Sequence, residues 1–88
     1  MYVVEFTESA QNDVRLLQRR EPQAIKKLAK LLVELRDHPR TGTGQVEQLK
    51  HFHNETWSRR INREHRLVYE IHDDQVLVLV ISSFGHYE

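Results

Sequence analysis

Three side chains of complementary chemistry stand far apart in this 88-residue sequence: Glu47, Arg66 and His86. A carboxylate, a guanidinium and an imidazole can together cleave RNA without a metal. The reaction needs a 2′-hydroxyl to lose a proton and attack the adjacent phosphorus. The charge on the phosphorane-like transition state must be stabilised, and the departing 5′-oxygen must gain a proton. A base, a fixed cation and an acid supply those three roles. Arginine's planar fork matches phosphate oxygens, and histidine can hold a proton near neutrality beside an anionic phosphate. Each residue also has a plainer reading. Glu47 next to Lys50 reads as a surface Glu in a weak ion pair. His86 reads as a terminal surface histidine, although Phe84 and Tyr87 can anchor the tail and Gly85 lets it fold back across a sheet. His51 and His53 alternate along a strand and could chelate a metal with Glu55. No further ligand is evident, so no metal or other cofactor is expected. His65 and His72 flank a hairpin strand and need no function.

The rest of the chain must position these groups. Its length implies one domain, residues 1–88, burying roughly 60–65% of its unfolded surface. Cysteine is absent, which excludes disulfides and thiolate metal sites and fits a reducing compartment. No apolar run approaches the roughly 20 residues of a membrane helix, and the N-terminus lacks a signal pattern. A cytoplasmic protein with no membrane partner is expected. Net charge is zero, from 13 basic and 13 acidic residues. The two signs are segregated, however: acids dominate both ends, and every Lys and Arg lies between Val14 and Arg66. A neutral average can thus hide a local field that attracts phosphate. For most of the span from Arg15 to Arg40 a solvated helix face is the preferred reading.

Tyr2 to Phe6 is β-branched and aromatic, and opens the domain as a short strand. Thr7 can cap a helix from Glu8, with Ala10, Val14 and Leu17 at helical spacing. Pro22 suits the first turn of a second helix, whose stripe is Ile25, Leu28, Leu32 and Leu35, widened by Ala29 and Leu31, and which stops at His38-Pro39. Lys26, Lys27, Lys30 and Glu34 lie away from the stripe's centre. After the turn-rich Thr41 to Gly44, candidate strands cover 46–50, 57–61, 65–71 and 76–82. The fold class is α+β, written β-α-α-β-β-β: a mostly antiparallel sheet with a helical hairpin packed on one face.

Strand parity sharpens this. A three-residue turn, Asn62 to Glu64, pairs Arg59 with Leu67 and gathers Trp57, Ile61, Leu67, Tyr69 and Ile71 on the helix-packed face. The same register sets Arg60 opposite Arg66 on the other face. Such a pair repels by about 0.2–1 kcal/mol. Either an anion sits between the two or both splay into solvent.

Four segments give the sequence a family likeness: Gly42-x-Gly44-x-x-Glu47-x-Leu49-Lys50, Trp57 to Ile61, Glu64 to Tyr69, and His86-Tyr87. In combination they resemble the Txe/YoeB branch of the RelE-like toxins of bacterial toxin–antitoxin pairs, over nearly the whole chain. The resemblance implies an mRNA endonuclease acting in the A site of the translating ribosome. It implies a YefM-like antitoxin that wraps the toxin, joint repression of operator DNA by the pair, and homodimers in some members. It makes Glu47 the general base, His86 the general acid and Arg66 the phosphate stabiliser. Lys50 and Arg60 support charge in the groove, and Tyr87 positions substrate. Two departures are visible. The family often has prolines around the Glu47 position, where this chain has Val46 and Gln48. This chain also adds Glu88 after the His-Tyr pair, and that carboxylate could raise the pKa of His86 or repel RNA. The rival readings are a ParE-like toxin that binds and inhibits a protein target, and a plain RNA-binding regulator.

Overall fold

The computed structural model describes residues 1–85; the expectations for His86, Tyr87 and Glu88 lie outside the described residues. The chain opens with β1 (Val3–Phe6) and a helical hairpin, α1 (Glu8–Arg20) and α2 (Ala24–Asp37). β2 (Glu47–Leu49), β3 (Thr56–Arg60), β4 (Arg66–His72) and β5 (Leu77–Ser82) follow, with a 3-10 turn at Asp73–Gln75. Four strands therefore come after the helices where the β-α-α-β-β-β scheme had three, because the short Glu47–Leu49 segment pairs as an edge strand of its own. The sheet order is β1-β5-β4-β3-β2; β1 runs parallel to β5 and every other pairing is antiparallel.

Local chemistry accounts for the element boundaries. Thr7 Oγ1 accepts the Ala10 amide at 3.1 Å, satisfying one of the free donors at the start of α1. α2 ends where Pro39 disfavours helix in His38. Pro22 does not enter α2; it lies in the turn before it, with the Ala24 amide reaching back to the Glu21 carbonyl. The buried stripe of α2 is Ala24, Leu28, Leu31 and Leu35; Leu31, expected to widen the stripe, is central to it, Ile25 and Leu32 sit at its margin, and Ala29 is exposed.

The core lies between the hairpin and one face of the sheet. Leu17, Leu28, Leu31 and Leu35 meet Ile61, Leu67, Tyr69, Ile71, Val78 and Val80. The β3–β4 register is the one that parity demands: Arg59 opposes Leu67 and Arg60 opposes Arg66. A β-bulge beside Val68 and Tyr69 sets Ser82 opposite Val68 and steers the end of β5. No helix among the described residues is long and apolar enough to cross a membrane.

Candidate active site

The site is built on the sheet face turned away from the helices. Glu47 on β2 opposes Ser58 on β3, and Ser58 opposes Val68 on β4. Directly opposed residues share a face, so Glu47, Ser58, Arg60 and Arg66 all project to the same side. Glu47 is exposed and forms no ion pair among the described residues, so the surface pair with Lys50 is absent. Lys50 lies in the exposed bend after β2, at the end of the strand away from Arg60 and Arg66; it is not brought beside them.

Arg66 is held in two places. Its Nε donates to Ser58 Oγ at 3.0 Å and its Nη2 to the Gln45 carbonyl at 3.1 Å. Among the described residues it pairs with neither Glu64 nor Glu70; Glu70 instead meets His72 at 2.9 Å. Two neutral anchors orient the guanidinium. They use two of its five donors, and the remainder suits phosphate oxygens. Neighbouring strands lie roughly 4.8 Å apart, so the backbones of β2 and β4 are about 10 Å apart. Glu47 and Arg66 can therefore reach toward one phosphodiester from opposite sides.

Arg60 contributes to a second feature, a shallow groove of about 390 Å³ lined by Lys27, Gly44, Gln45, Arg60, Asn62 and Arg63. Its three cations come from three different elements, and Gln45 joins it to Arg66 through the carbonyl already described. Lys27, read from sequence as part of a solvated helix face, thus belongs to a basic groove beside the site.

The loop from His38 to Val46 supplies both Gln45 and the start of β2, and it is fixed from beneath by a residue whose role the sequence did not suggest. Arg59 is completely buried. It donates to Tyr69 Oη at 3.1 Å, Glu34 Oε1 at 2.9 Å and the Thr41 and Thr43 carbonyls at 2.6 and 3.4 Å, and also to the His38 carbonyl. Tyr69 Oη donates in turn to the Pro39 carbonyl at 2.6 Å. Glu34, expected on the solvated face, accepts the Thr43 amide at 2.8 Å. That bond, and after it the Arg59 charge, hold its carboxyl below the usual carboxylate range. Gly44 closes the loop over β3: its φ is +97°, and a Cβ there would lie 3.0 Å from the Arg60 carbonyl oxygen. The missed signal was parity. The register that placed Arg60 outward placed Arg59 inward, where a charge survives only if fully bonded.

His65 also gained a role the sequence did not assign. It is buried, its ring 4.2 Å from that of Phe84. Its Nδ1 accepts the Gly85 amide at 2.8 Å while its Nε2 faces the Glu21 carboxylate. The Gly85 carbonyl accepts the Arg66 amide at 2.7 Å, so the described chain ends against the first residue of β4. Gly85 has a φ of +80°, which allows the turn-back expected of it.

One group of possible metal ligands occurs among the described residues: Glu21, Glu64 and His65, with ligand atoms within 4.8 Å of one another. Both ring nitrogens of His65 already serve protein partners there. It is not the trio of His51, His53 and Glu55 weighed from sequence; Glu55 is committed to Arg40 at 2.8 Å and to the Trp57 indole at 2.7 Å.

Residues 6–87 match the family described as YoeB-like toxin of bacterial type II toxin-antitoxin system. The toxin YoeB of Escherichia coli K12 is 38% identical over 73 residues, covering 83% of this chain and 87% of that protein. The YoeB/ParE toxin structure from Agrobacterium tumefaciens superposes with a TM-score of 0.87 at 32% identity, covering 99% of this chain and 100% of that one. A YoeB-YefM heterotetramer from Staphylococcus aureus contains a chain of TM-score 0.80 and 32% identity, with 99% of both chains covered. This chain belongs to the YoeB-like toxins of bacterial type II toxin–antitoxin systems.

Proposed function

We propose that this toxin is a metal-independent endoribonuclease that cleaves mRNA on the translating ribosome. The observation that carries the reading is the shared outer face of Glu47, Ser58 and Arg66, with Gly85 bonded to the first residue of β4. In this reading the exposed Glu47 carboxylate takes the proton of the 2′-hydroxyl as that oxygen attacks phosphorus. Arg66, oriented by Ser58 and Gln45, receives the charge developing on the non-bridging oxygens. His86, which follows Gly85, gives a proton to the departing 5′-oxygen, and Tyr87 orients the substrate. Arg60, with Lys27 and Arg63, guides the RNA backbone through the basic groove, while Lys50 adds positive charge at the opposite end of β2. The products are a 2′,3′-cyclic phosphate and a 5′-hydroxyl.

A YefM-like antitoxin would neutralise the toxin, as the composition of the Staphylococcus aureus complex suggests, and the pair would bind operator DNA. Purified chain added to ribosomes stalled on a defined mRNA tests the activity. Cleavage at the A site with a cyclic phosphate end is expected. A 3′-hydroxyl end would mean that water attacked instead, and intact mRNA with a growth arrest would favour inhibition of a protein target.

A further inference from the structure

We propose that His65 is a positioning residue for this reaction: a tautomer-locked acceptor, clasped between Glu21 and the Gly85 amide, that sets where the C-terminal tail leaves the sheet. The inference rests on the reading of His86 as the acid. A backbone amide can only donate, so the 2.8 Å bond from Gly85 requires Nδ1 of His65 to be unprotonated. The ring proton is then on Nε2, facing the Glu21 carboxylate. Glu21 is itself oriented: its other oxygen accepts from Asn62 Nδ2 at 3.1 Å, and Asn62 Oδ1 accepts the amides of Glu64 and His65 at 3.0 and 2.9 Å. The corner of the helical hairpin, the β3–β4 turn and the tail therefore meet at one imidazole.

The clasp is placed to matter. Gly85 is bonded on one side to His65 and on the other, through its carbonyl, to the amide of Arg66. Phe84 stacks on the same ring. A buried histidine that merely filled space would need neither nitrogen in particular. Here the two nitrogens do separate work, and only Nδ1 reaches the tail.

That division supplies the test. In His65→Asn the amide oxygen falls near the Nδ1 position and can still accept from Gly85. In His65→Gln the polar end falls near Nε2, so Glu21 is kept and Gly85 is released. Both replace an aromatic ring with an amide, and both lose the stacking on Phe84. Amide hydrogen exchange at Gly85 should quicken by roughly 10-fold or more in His65→Gln and much less in His65→Asn. On ribosome-bound mRNA, His65→Gln should lower kcat by roughly 10–100-fold with KM nearly unchanged, the size expected when a reacting group is misplaced by about 1 Å. His65→Asn should restore most of that loss. Equal kcat losses in the two variants, tracking their melting temperatures, would show a purely structural histidine and overturn the proposal, as would a freed Gly85 amide with unchanged kcat. A wild-type chain that cleaves no RNA would overturn the nuclease reading and the positioning role together, while Gly85 exchange would still decide whether the clasp exists.

Discussion

Arg59 and Arg60 are adjacent in sequence, identical in chemistry, and live on opposite faces of one strand. Arg59 points into the core, is fully buried, and donates to five oxygens. Arg60 points outward beside Arg66 and lines a groove with Lys27 and Arg63 whose lining contains no carboxylate. On the inner face the charge holds a loop in place, and its worth is in the stability of the fold. On the outer face the same charge is left unneutralised, and its worth is in what it can bind. Residue type does not separate the two roles; strand parity does.

The contrast can be broken most forcefully on the inner face. Arg59→Ala removes a donor from Glu34 and from four further oxygens, and a loss of about 3–5 kcal/mol in a denaturant melt is expected. A loss below about 1 kcal/mol would mean that the buried guanidinium is not what holds the loop. On the outer face, Glu47→Ala should slow cleavage by about 10²–10⁴-fold. Its stability should stay within about 0.5 kcal/mol of wild type, since the side chain is exposed. Arg66→Ala should cost about 10²–10³-fold in rate. Its two neutral anchors limit the change in stability to about 1 kcal/mol in either direction. Sulfate should raise the melting temperature of wild type more than that of Arg66→Ala, because an anion that binds only the folded state stabilises it. Equal sulfate effects would argue that the outer arginines splay into solvent.

The smallest effect is a pH dependence belonging to the inner side. Glu34 is held below its usual 4.5 chiefly by the Thr43 amide, and Glu55 below the same value chiefly by Arg40. A carboxyl depressed by folding contributes its full stabilisation above its usual value and loses it as falling pH titrates the folded state. Stability should therefore decline as pH drops below about 4.5, and Glu34→Gln should flatten part of that decline. Melts between pH 3 and 7 read the difference directly. An unaltered slope would remove Glu34 from the account.

Much of this arrangement was legible in the sequence because it rests on period and parity. The capping by Thr7, the stop at Pro39 and the Arg60–Arg66 opposition each follow from local rules that the structure obeys. The buried ionic network was hidden for a physical reason: Glu34 and Arg59 lie 25 residues apart, and nothing local tells a charged residue at a helix margin that its partner will arrive from below. His65 was hidden similarly, since its partners Glu21 and Gly85 come from distant parts of the chain. The edge strand Glu47–Leu49 was visible as a candidate yet lost in the overall scheme, because three residues carry little periodic signal.

The strand order has a consequence for how the molecule comes into being. β5 lies between β1 and β4, so the first strand waits for the fifth before it has a neighbour. Val3 must find Leu77 across 74 intervening peptide bonds, a closure that makes folding slower than local contacts alone would allow. During synthesis the helical hairpin and the β2-β3-β4 meander that aligns Glu47 with Arg66 can form from neighbouring segments, but β1 joins the sheet only after β5 has been made.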